Sequence, residues 1–140
     1  MGCAMRMIFV NLPVADIGRS RIFYEGLGFT LNPQFTDDNT LCVVISDAIY
    51  LMVMTRERFA EFSPKPVADV ANTTGTLLAL SCESRDAVVA MMDAAVAHGG
   101  TDNEKVQDME GFMYGLSFCD PDGHVFEPVW MNPAAVEPQS

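Results

Sequence analysis

The sequence predicts an α+β fold built from two βαβββ modules, because one order of elements occurs twice within 140 residues. Each half holds one apolar stretch at helical spacing that opens on a capping residue and closes on glycine. Each helix is preceded by one strand-like run and followed by three. A βαβββ module of about 60 residues is marginal alone, whereas two that share a core are not. The expectation is curved mixed sheets that together enclose a barrel-like cavity.

In the first half, Arg6–Leu12 is the first strand, rich in Ile8, Phe9 and Val10, and Pro13 ends it or places it at a sheet edge. Asp16 stands at an N-cap, and Ile17, Ser20, Phe23, Tyr24 and Leu27 form one helical stripe. Gly26 and Gly28 stop the helix. Phe29–Phe35, Leu41–Ile45 and Ile49–Met54 follow as strands, the last two joined by the tight Ser46-Asp47-Ala48 connection. Arg56–Phe62 reads as a helical turn.

Ser63 to Gly75 carries two prolines, Asp69, Asn72 and two threonines and reads as a connection. The second half opens with strand Thr76–Cys82. Ser84 caps a helix containing Val88, Met91, Met92 and Ala95, which His98-Gly99-Gly100 closes. A weak strand over Thr101–Val106, then Phe112–Cys119, a turn at Asp120-Pro121-Asp122-Gly123, and Val125–Trp130 complete the repeat. The resulting organisation is residues 1–62, a connection at 63–75, residues 76–131, and a frayed tail at 132–140.

Nineteen acidic against eight basic residues leave a formal charge of −11, which argues against nucleic acid, since phosphate binding draws on clustered Lys and Arg. No apolar run reaches the ~18–20 residues of a membrane span, and no signal-peptide pattern opens the chain. Cys3, Cys42, Cys82 and Cys119 are scattered without a C-x-x-C pair, as expected of reduced thiols in a cytoplasmic protein. Dinucleotide, phosphate-loop, calcium-loop and nucleophile-elbow motifs are all missing or incomplete. Tyr24 and Tyr114 have the chemistry of proton donors, but packing roles suit their positions better.

The stretch Asn11-Leu12-Pro13-Val14-Ala15-Asp16, then Phe23-Tyr24, Leu27-Gly28-Phe29, and finally Asp120-Pro121-Asp122-Gly123-His124 leading into Glu127, resembles the vicinal oxygen chelate superfamily, which contains glyoxalases, bleomycin resistance proteins and extradiol dioxygenases. Cys82-Glu83-Ser84-Arg85 and Gly111-Phe112-Met113-Tyr114-Gly115 resemble a bacterial branch labelled predicted lactoylglutathione lyase. The resemblance runs from about Met7 to Met131. It implies a divalent ion held by inward histidines and carboxylates from four strands, which chelates two neighbouring substrate oxygens. Carried over position by position, the first-strand histidine falls on Phe9, the fourth-strand carboxylate on or beside Met52, and the histidine opening the second module near Leu77. Only the last carboxylate is kept, as Glu127. Phe, Met and Leu do not replace the ligands such an ion needs, and His98 and His124 are not placed to do so. No metal and no other cofactor is therefore expected.

Strand alternation says what lines the cavity instead. If Glu127 points in, so do Val125 and Val129; Phe9, Asn11, Tyr50, Met52, Met54, Leu77, Ala79 and Ser81 follow from the other strands. No Lys or Arg falls on these faces. Two readings stay open: an apolar ligand pocket with one carboxylate, or plain core filling with Glu127 paired to Asn11 or to water. Two functions follow from the first. One is a homodimeric module that binds a small organic molecule, a cationic one included. The other is a glyoxalase-like lyase or isomerase, or a dioxygenase-type enzyme, with Glu127 as the catalytic base.

Overall fold

The computed structural model of the chain describes residues 5–135, which divide after Asp69 into two compact units. The first unit contains β1 (Ile8–Val14), α1 (Ile17–Gly26), β2 (Thr30–Leu31), β3 (Thr40–Val44), β4 (Ile49–Thr55) and α2 (Arg56–Phe62). The second contains β5 (Leu77–Ser81), α3 (Arg85–Ala97), β6 (Thr101–Met109), β7 (Met113–Cys119) and β8 (Val125–Met131). The twice-used βαβββ order read from the sequence is the observed order.

Each unit has its own four-stranded mixed sheet, ordered β1-β4-β3-β2 and β5-β8-β7-β6. In both, the strand that opens the module runs parallel to the strand that closes it, and the remaining pairs are antiparallel. Neither sheet closes on itself into a barrel; each is a four-stranded mixed sheet with one face under a helix.

In the first unit that covered face is made by Leu12, Val14, Leu41, Val43, Leu51 and Val53, all buried together with Ser20, Phe23 and Tyr24 of α1. Each such side chain contributes roughly 1.5–3 kcal/mol when fully buried. Asp16 caps α1 by accepting a hydrogen bond from the Arg19 amide at 3.0 Å. Tyr24 packs edge-on to Phe23, the packing role anticipated for it. In the second unit Val88, Met92 and Ala95 form the buried stripe of α3, and Phe118 and Phe126 stack beneath them with ring centroids 5.6 Å apart. Ser84 caps this helix through the Ala87 amide at 3.0 Å.

Pro13 lies inside β1, and β1 is an edge strand, the second of the two placements expected of it; a proline there removes no central ladder bond. Two local expectations are corrected. The predicted strand Phe29–Phe35 is cut to two residues. Asn32 accepts from the Gln34 amide at 2.9 Å and Pro33 opens a 3-10 turn, so local side-chain bonding defeats the extended run. Asn132 to Ala135 are not frayed, since Asn132 donates to Gly111 O at 2.8 Å and its amide to Phe112 O. The remainder of the expected tail, 136–140, lies outside the described residues, as does Cys3.

Candidate functional site

The uncovered face of the second sheet carries the candidate site. In the parallel β5–β8 pair, Leu77 stands opposite Val125, Ala79 opposite Glu127 and Ser81 opposite Val129. The parity that buries Phe126 and Pro128 turns Glu127 to the other side, where it is half-buried. Two adjoining hollows meet there. The larger, of about 690 Å³, is lined by Leu77, Val125 and Glu127 on its floor and by Val70 to Thr74 on one wall. The smaller, of about 300 Å³, is lined mainly by Ala79, Met113, Gly115, Leu116, Val129 and Met131. Glu127, Lys105, Gln107 and Ser117 border both.

The wall at 70–74 is held in place by the Asp-Pro-Asp-Gly turn. The buried Asp120 carboxylate accepts hydrogen bonds from the amides of Asp122, Gly123 and His124 at 3.0, 2.9 and 2.8 Å. Gly123 adopts φ +112°, a region that disfavours side chains. A Cβ added there would stand 2.4 Å from the Val70 carbonyl oxygen. Glycine is therefore needed twice over, for its backbone angle and for the close approach of the segment that walls the larger hollow.

On β6 the antiparallel register breaks. Between Asp102, opposite Phe118, and Val106, opposite Leu116, β6 advances four residues while β7 advances two. Glu104 sits in this bulge at φ +58°, a left-handed conformation rare for a non-glycine residue. Asn103 and Lys105, on either side of it, both line the larger hollow. Asn103 donates to Ser117 Oγ at 2.9 Å and accepts from Cys119 Sγ at 3.3 Å. These bonds pin the polar floor beside Glu127. The expectation that no lysine or arginine falls on this face is thus corrected: Lys105 lines it, with the same strand parity as Asn103 and Gln107.

The sequence-predicted residues separate by unit. On the uncovered face of the first sheet, Phe9 and Tyr50 stack with centroids 5.0 Å apart and planes 12° apart. Asn11 stands opposite Met52 and donates to the Phe9 carbonyl oxygen at 3.1 Å, so its amide is engaged within its own strand. Met52 is half-buried and Met54 buried. In the second unit Leu77, Ala79 and Glu127 line the hollows, whereas Ser81 shares their face without lining either. Lys105, Asn103, Gln107 and Ser117 were missed. The hollow of about 620 Å³ in the first unit lies elsewhere, beside Arg21, Glu25 and the α1–β2 connection, and its Arg21–Glu25 pair is already joined at 3.3 Å.

The residues present do not fit a divalent ion of the kind the resemblance implies. Phe9, Met52 and Leu77 carry no suitable donor, and among the described residues no three His, Cys, Asp or Glu side chains gather into a ligand set. His98 bonds to the Ala94 carbonyl at the end of α3, and His124 is buried in the turn. Cys42 and Cys82 are free thiols whose pKa values burial pushes up, which keeps them protonated and poor nucleophiles.

Comparison with known proteins agrees with this architecture. A family model described as bleomycin resistance protein-like N-terminal matches residues 6–46. A hypothetical protein from S. aureus is 25% identical, with 92% of this chain and 95% of that one covered at a TM-score of 0.74. A glyoxalase-related enzyme from Fulvimarina pelagi is 21% identical over 91% and 88% of the two chains, with a TM-score of 0.75. A glyoxalase/bleomycin resistance protein/dioxygenase family enzyme from Burkholderia phytofirmans PsJN is 19% identical over 88% and 96%, with a TM-score of 0.72. No curated protein sequence matches the chain.

Proposed function

We propose that the chain is a member of the vicinal oxygen chelate superfamily, a reading its fold and the match over residues 6–46 support, and that it binds a small organic molecule on the uncovered face of its second sheet without the superfamily's metal. The observation that carries this reading is Glu127. The residue is half-buried between two hollows, and its side chain forms no hydrogen bond or ion pair with any described residue. A core carboxylate is normally satisfied by the protein; one left open toward a cavity is satisfied by what enters it. An acidic group among Leu77, Val125 and Val129 favours a ligand with a positive charge beside an apolar body.

The alternative that uses the same atom is a lyase or isomerase in which Glu127 removes a proton from a carbon next to a carbonyl. Such chemistry needs an electrophile to hold the developing oxyanion, and the cation that lines these hollows is Lys105. The binding reading asks for less and is preferred. It includes a homodimer acting in the cytoplasm; light scattering of the purified chain at twice the monomer mass is the expected outcome for the dimer.

The test is a thermal-shift screen of cationic and neutral compounds against wild type and Glu127→Gln, which keeps shape and removes charge. Cationic ligands are expected to lose about ten- to a hundredfold in affinity, the size of a charge-assisted hydrogen bond, while neutral compounds are unaffected. Equal shifts for both proteins across the set would contradict the reading. Metal-independent turnover of a methylglyoxal–glutathione adduct near roughly 10 s⁻¹ would favour the enzyme instead.

A further inference from the structure

Resting on that reading and narrowing it, we infer that the site recognises a small zwitterion with an apolar substituent, an apolar amino acid being the simplest example. Three features of one cavity converge on this class. Glu127 and Lys105 both border both hollows. They carry opposite charge, yet no ion pair joins them, and the side chain of neither bonds to another described residue. The smaller hollow beyond them is lined by Ala79, Leu116, Val129, Met113 and Met131 and contains no charged side chain other than these two.

Opposite charges that line the same hollows without pairing leave room between them for water or a dipolar ligand. A lone cation would satisfy Glu127 and leave Lys105 solvated; a lone anion would do the reverse. A molecule carrying an ammonium and a carboxylate on one carbon offers a partner to both. Lys105 shares strand parity with Asn103 and Gln107, which puts all three on the cavity side, and the left-handed Glu104 between Asn103 and Lys105 is local backbone strain beside the site. The methionines suit a flexible apolar substituent, because thioether side chains adapt to its shape. Asn103 and Ser117, bonded to each other at 2.9 Å, give the head-group side of the cavity a fixed polar floor.

The experiment is calorimetric titration of the full chain with norleucine, glycine, hexylamine and hexanoate, repeated with Glu127→Gln, Lys105→Met and Lys105→Gln. Lys105 is exposed, so both of its variants are expected to fold, and circular dichroism checks this. Norleucine is expected to bind at least tenfold more tightly than hexylamine, hexanoate or glycine. Either Lys105 variant should bring norleucine down to the hexylamine level and leave hexylamine itself unchanged; Glu127→Gln should weaken both. If hexylamine binds as tightly as norleucine and the Lys105 variants alter neither, the zwitterion inference falls and the cation-binding reading stands. If no probe binds, or if hexylamine binding ignores Glu127→Gln, both fall.

Discussion

The two units share a topology strand for strand, but their uncovered faces do different chemistry. At the middle rung of the parallel pair, the first unit sets Asn11 opposite Met52 and the second sets Ala79 opposite Glu127. The first face is apolar and internally satisfied: Phe9 lies on Tyr50, and Asn11 bonds to its own strand. The second holds Glu127 and Lys105 unpaired, over a floor fixed by Asn103, Ser117 and Cys119. Repetition of a fold therefore copies the scaffold and the helix-covered core, while the site depends on a handful of side chains that the first unit lacks.

Substitutions can break this comparison in order of size. The largest effect is expected from Phe126→Ala, because Phe126 is wholly buried in its stack with Phe118; the loss should be about 3–5 kcal/mol in denaturant unfolding. Phe9→Ala, at the other aromatic stack, should cost far less, since Phe9 is 48% exposed. Similar costs for the two would mean that the first face is covered after all.

Glycines sharpen the contrast next. Gly28 and Gly123 both have positive φ, but a Cβ at Gly28 meets nothing within 4 Å, whereas one at Gly123 meets the Val70 carbonyl. Gly28→Ala should cost about 1–2 kcal/mol, the conformational penalty alone. Gly123→Ala should cost more and should also weaken ligand binding, because the 70–74 wall must shift. Retained affinity in Gly123→Ala would remove that wall from the site.

The smallest effect concerns the ion pair that ties α3 to β6. Arg85 donates to both carboxylate oxygens of Asp108 at 3.2 and 3.0 Å and lies over the Tyr114 ring at 4.2 Å. The hydrogen bonds that Arg85 donates hold the Asp108 carboxyl below its ordinary value, and the same bonds, accepted by Asp108, push the Arg85 guanidinium up. A depressed carboxyl adds stability above its unfolded pKa of about 3.9 and loses it as pH falls through the lower folded value. Asp108→Asn should therefore lower the melting temperature slightly at pH 7, with the difference shrinking below about pH 4 and vanishing once Asp108 is protonated. Both partners are largely exposed, so the effect is small. A gap that widens in acid would contradict the assignment.

Much of this was legible in the sequence. The order of elements, the caps at Asp16 and Ser84, and the alternation that turns Glu127 away from Phe126 all follow from local patterns. Lys105 was missed because β6 is mostly polar and carries no apolar alternation to show which side is inward, and nothing in Asn103-Glu104-Lys105 announces a left-handed glutamate. The wall at 70–74 was invisible for another reason. Its residues read as a connection, and only the close packing of Gly123 against Val70 makes them part of a cavity. The shortness of β2 could have been read from Asn32-Pro33, a turn signal inside an apolar run.

The most direct test of the central claim is an amide chemical-shift titration of the isotope-labelled chain with the strongest ligand from the thermal-shift screen. The account predicts that perturbations cluster on the uncovered face of the second sheet, at Ala79, Lys105, Ser117 and Glu127, with little change at Phe9, Asn11 and Met52, and that Glu127→Gln abolishes the cluster at the same ligand concentration. Perturbations centred on Phe9, Asn11 and Met52, or unchanged in Glu127→Gln, would place the site on the wrong unit and contradict the account.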